Sequence, residues 1–151
     1  MNHPKKTRNL FTIHAVACAA GLLFIATFWS SSLISELFYG HEQVRMVKQA
    51  IVYALMVFVP IMAVGGITNK KLQLPRSLIP KIALNGLLVL LPCALWLNWM
   101  AQNHRFDALF YSIQALELVA GAANLTMIAW HLRRLKKSSL IFSFKPLIRS
   151  A

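Results

Sequence analysis

Between residues 111 and 131 the chain reads YSIQALELVAGAANLTMIAWH, apolar enough for a lipid bilayer yet carrying Gln114, Glu117, Asn124 and His131. Such groups cost on the order of several kcal/mol in hydrocarbon, so they turn toward a bundle interior and mark a site. Glu117, Asn124 and His131 stand seven residues apart, and Tyr111, Gln114 and Gly121 fall close to the same line. At about 100° per residue they form one polar seam. Two kinds of chemistry suit Glu117. It carries protons, in a transporter or beside a quinone, or it is a neutral acid donating a hydrogen bond to Asn85 or Asn98, the form favoured for a carboxyl with no cation nearby.

His14, Cys18, Gly21, Ile25 and Ser32 share a helical face in an earlier apolar run. From His14 to Phe38 and from Asp107 to His131 is the same number of residues, about 36 Å of helix each. His14 and His131 are therefore expected at one depth. His41 and His104 are expected at the opposite membrane surface, which makes two candidate pairs. Facing imidazoles with an apolar slot between them are what a six-coordinate b-type haem requires, with cations for its propionates. Arg133 and Arg134 stand beside His131, and Arg45, Lys48 and Arg105 beside His41 and His104. Each has a plainer reading, the histidines as interfacial hydrogen-bonding groups and Arg133 and Arg134 as topological anchors. Gly21 and Gly121 admit close approach of another helix or of a planar ligand. Cys18 and Cys93 form no C-x-x-C motif, and the methionines form no cluster that suggests a copper path. There is no phosphate-binding glycine loop, G-x-S-x-G elbow or H-E-x-x-H helix.

The elements that must position these residues are membrane spans. Of 151 residues 58% are hydrophobic and 13% charged, and the mean hydropathy is +0.58. Soluble domains are about 45–50% apolar. Spans are expected over about 10–38, 46–67, 80–102 and 107–132, in residues 1–137, followed by a basic amphipathic tail at 138–151 lying on the anionic inner leaflet. The fold class expected is all-α, an integral membrane four-helix up-down bundle. The net charge of +12 follows topology: all but Arg45, Lys48 and Arg105 of the 16 Lys and Arg residues fall on one side. The positive-inside rule then puts both termini in the cytoplasm of a bacterial-type inner membrane and leaves nucleic acid without a role as partner. The first run is too long for a cleaved signal and reads as a retained span. Gly40 marks a helix stop, Asp107 an N-cap, and the first two turns of span two, with Arg45 and Lys48, are expected to project past the hydrocarbon. Pro60 and Pro92 are tolerated mid-span. The four tryptophans read as an aromatic belt.

Four helices with His14, His41, His104 and His131 near their ends resemble, in architecture, the four-helix membrane b-type cytochromes that exchange electrons with quinone. The resemblance implies an electron carrier with one or two haem b groups held by those histidines, working with quinone or a partner redox protein, alone, as a homo-oligomer or within a larger membrane complex. The alternative is a non-haem small transporter or an assembly subunit of a membrane complex, using the seam around Glu117. An integral membrane enzyme finds no motif in its support.

Overall fold

A computed structural model describes residues 3–73 and 78–144, with side chains over 7–73 and 78–136. The chain is all-helical: α1 His3–Phe38, α2 His41–Leu72, α3 Ile79–Asn85, a π-helical segment Gly86–Leu90, α4 Leu91–Gln102 and α5 Ala108–Phe144. Four stretches are long and apolar enough to cross a membrane: Thr7–Phe38, His41–Leu72, Ile79–Gln102 and Ala108–Lys136. This is the make-up of a multi-pass membrane protein. The third span consists of α3, the π-helical segment and α4 in line.

Short connections force antiparallel neighbours. α1 packs on α2 and α5, and α4 packs on α2 and α5; among the described residues the α1 backbone does not come close to that of the third span, so the two are diagonal and meet only through side chains. The turns at 39–40 and 103–107 define a hairpin end. The opposite end, where α1 begins, the loop between α2 and α3 runs and α5 leaves, is the terminal end. Two apolar clusters fill the interior. Cys18, Ile25, Ile79, Ile82 and Ile128 fill the terminal half. Val44, Leu97, Met100, Ala101 and Phe110 fill the hairpin half. Large side chains such as Leu23, Met56, Leu87 and Val119 point outward, as lipid-facing positions do.

Local rules account for the ends. Asp107 caps α5, its Oδ1 accepting from the Phe110 N–H at 3.0 Å. This is the cap expected from the sequence. The helix before it stops at His104, whose φ of 53° lies in the left-handed region. Pro92 lacks the N–H that would bond the carbonyl four residues back, and the π-helical turn lies just before it in the same span. Gly121 lets the α1 and α5 backbones close up: a Cβ there would stand 2.9 Å from Trp29 Cδ1. Trp29 is thus no belt residue, for its indole N–H donates to the Leu118 carbonyl at 2.9 Å. The helix that carries span two begins at His41. Arg76, Lys145 and Arg149 lie outside the described residues, as do 145–151 of the expected tail, and the helical backbone of α5 continues to Phe144.

Candidate functional site

The seam on α5 faces inward over most of its length. Gln114, Asn124 and His131 are buried, whereas Tyr111 is 47% exposed and falls outside it. Along the interior the polar groups gather at three levels.

At the hairpin-end level lies an ion pair. Lys48, on α2, is fully buried, and its Nζ donates to Glu117 Oε2 at 2.7 Å and to Ser32 Oγ at 2.7 Å. The Glu117 side chain retains 12% exposure. Two expectations are corrected here. Lys48 does not point outward from the start of α2 but turns into the bundle, where α1 and α5 supply its partners. Glu117 has a cation beside it, where the composition of its own helix suggested an isolated carboxyl. Glu36, one turn beyond Ser32 on α1, is within electrostatic reach of Lys48, Glu117 and His41. One of its carboxyl oxygens and both amide atoms of Gln114 are buried without a hydrogen-bond partner. Sequence reasoning missed Glu36, although it continues the His14, Cys18, Ile25, Ser32 face by one helical step.

At the middle level the Asn85 amide donates to Asn124 Oδ1 at 2.9 Å and to the Ala120 carbonyl at 3.0 Å. Asn85 therefore serves Asn124 rather than Glu117, and Asn98 accepts from Gln102 at 3.2 Å. Between the first two levels opens a cavity of about 360 Å3 among all four spans. Phe28, Trp29, Phe58 and Met62 are among its apolar walls, while Ser32, Glu117 and Asn124 give it polar edges and the π-helical segment borders one side.

At the terminal-end level His14 and His131 meet, as their matched depths suggested. Their Nε2 atoms are 3.1 Å apart and the rings stand at 89°. Thr68 spends its hydroxyl proton on the Val64 carbonyl at 2.7 Å, and the Gly65 carbonyl can only accept. The His14 Nδ1–H is therefore the donor toward Gly65 O at 3.1 Å and Thr68 Oγ1 at 3.0 Å. This fixes the tautomer that leaves the Nε2 lone pair free. Cys18 Sγ lies 3.6 Å from that Nε2.

These atoms do not fit a porphyrin. Two imidazoles on one iron, each at about 2 Å, stand about 4 Å apart on a straight line with the macrocycle between them. Here they are closer, at right angles, and the Cys18 sulfur lies within 4.8 Å of both, inside the disc a porphyrin would occupy. Arg45 and Arg105, expected as propionate partners, already pair with Glu42 and Asp107. Arg133 and Arg134 are exposed, with Arg134 over the Trp130 ring. At the hairpin end His41 is exposed and stacks on Phe106 with centroids 4.1 Å apart, and His104 is exposed in the turn.

No family model matches the chain, and no curated protein and no solved structure matches it either.

Proposed function

We propose that the protein is a small proton-coupled membrane transporter in which Glu117 takes up and releases the proton. One observation carries this reading: a lysine with no solvent exposure bonded to a carboxylate in the interior of four apolar spans. Burying an ion pair costs desolvation that the mutual attraction rarely exceeds, so apolar replacements are commonly as stable. Ionisable groups kept inside spans despite that cost line ion and proton paths.

The chemistry follows from the partners. When a proton adds to Glu117 the carboxylate becomes a neutral acid and its attraction to Lys48 is lost. Lys48 remains on Ser32 Oγ, and its charge then falls to Glu36, the carboxyl one turn beyond Ser32 that also feels it. The pair is thus a two-position element whose state follows the proton. The adjoining cavity takes the transported molecule, an amphiphile whose apolar body matches the aromatic walls and whose polar group meets Ser32 and Glu117. Asn124 and Asn85 continue the polar line toward the terminal end.

With nearly all the basic residues at the terminal end, both termini lie in the cytoplasm of a bacterial-type inner membrane and the hairpin end faces outward. Glu117→Gln, which keeps the shape and removes the titration, stops proton entry into vesicles in this account. An unchanged rate overturns it.

A further inference from the structure

The cluster at the terminal end is not used by the proton chemistry of Glu117, and it has the features of a metal site. His14, Cys18 and His131 each offer one donor atom, all three residues are buried, and the donors lie within 4.8 Å of one another. With metal–nitrogen bonds of about 2.0 Å and a metal–sulfur bond of about 2.3 Å, tetrahedral or trigonal geometry puts the two nitrogens about 3.4 Å apart and nitrogen and sulfur about 3.6 Å apart. The structure has 3.1 Å and 3.6 Å. Two of the three donor separations thus match the edges of one coordination polyhedron, and the third, His131 to Cys18, is within 4.8 Å. The outer contacts agree, since a metal-bound imidazole characteristically donates its other N–H to a carbonyl, as His14 Nδ1 does to Gly65.

Charge selects the ion. The chain has only four acidic residues, and Glu36, Glu42, Asp107 and Glu117 all lie in the hairpin half. The single anionic ligand at this site is the Cys18 thiolate. A divalent ion would leave a net positive charge in an apolar interior. A monovalent ion with one thiolate and two neutral imidazoles is neutral, and soft thiolate ligands select copper(I). We propose that His14 Nε2, Cys18 Sγ and His131 Nε2 bind one copper(I) ion. Binding releases the thiol proton, and His131 shifts its own proton to Nδ1. The methionines stay apart from this argument, which stands on two imidazoles and a thiol brought together from α1 and α5.

The test uses the full chain purified in detergent under anaerobic reducing conditions. Copper(I) is supplied in the presence of excess bicinchoninate, and retained copper is counted after desalting. One copper per chain is expected, with retention reduced at least about tenfold in Cys18→Ser and in His131→Gln and unchanged in Cys93→Ser. Thr68→Val, which removes a partner of the His14 ring, weakens retention about tenfold, the usual size of an outer-contact effect. Bound copper raises the thermal midpoint of the wild type and of Cys93→Ser, that of Thr68→Val less, and those of Cys18→Ser and His131→Gln not at all. Helical circular dichroism of each variant separates loss of the site from loss of the fold, and His131→Gln and Cys18→Ser change different helices. No retained copper, equal retention in Cys18→Ser, or retention of zinc in preference to copper(I) in the parallel zinc experiment overturns the proposal.

Discussion

Lys48 and Glu117 depend on each other, and this gives a sharp expectation for stability. Lys48→Met leaves a carboxylate facing apolar walls, and removing one partner of a buried pair costs about 3–5 kcal/mol unless the other is neutralised. The single variant therefore unfolds at a markedly lower temperature in detergent, and the double variant Lys48→Met with Glu117→Gln recovers most of the loss. Thermal unfolding of the four members of this cycle measures it; additive effects would show that the two side chains do not interact. Much of this site is legible in the residues themselves. The seven-residue steps from Glu117 to Asn124 to His131 give the inward face, and counting residues from each turn gives the shared depth of His14 and His131. The partner of each polar group is not legible. Spacing fixes a face on one helix but not the rotation of its neighbours, so Asn85 falls to Asn124, Lys48 turns inward, and Cys18 enters the space a porphyrin would need.

The elements carry two further expectations. Gly121 on α5 supports the Trp29 ring so closely that a methyl group cannot be added without moving an indole held by its own hydrogen bond to Leu118. Gly121→Ala costs about 1–3 kcal/mol, the usual cost of overpacking. Gly66→Ala, where nothing lies within 4 Å, leaves the thermal midpoint within a degree or two. Equal effects at both positions would contradict the α1 and α5 packing. At the start of α5 the Asp107 carboxylate is held below the usual range by the Phe110 N–H and then by Arg105. A depressed folded value means the cap stabilises above the unfolded carboxylate range, near about pH 3.9, and that its contribution is lost as pH falls through the folded value. Asp107→Ala lowers the midpoint by a few degrees at neutral pH, and the difference from wild type shrinks in acid. Asp107→Asn keeps the cap and lacks that acid dependence. Thermal scans from neutral pH to pH 3 distinguish the two. The cap and the short turns are legible in sequence because they are local, whereas the π-helical segment is not, since Pro92 alone does not say how its helix will accommodate the missing donor.

At the scale of the molecule, four apolar spans in a square enclose polar groups from the hairpin-end carboxylates to the terminal-end imidazoles, with a cavity between. The number of spans and their up-down order follow from hydropathy and loop length, which are properties of the whole chain and survive errors of a few residues at each boundary. The haem expectation drew on the same architecture and on histidine positions, which give the depth of His14 and His131 but not the angle of their rings or the approach of Cys18. The central claim is that Glu117 moves protons across this bundle, and proton flux measures it most directly. Full-length protein in liposomes, with a trapped pH-sensitive dye and a potassium diffusion potential set by valinomycin, is compared with Glu117→Gln and with Tyr111→Phe, an exposed position on α5 outside the seam. The Lys48–Glu117 element changes state with the proton whether or not the cavity is filled, so protons also pass without cargo, and the account predicts potential-driven acidification for wild type and Tyr111→Phe and a rate at least about tenfold lower for Glu117→Gln. Equal rates in all three, or none above protein-free liposomes, would contradict it.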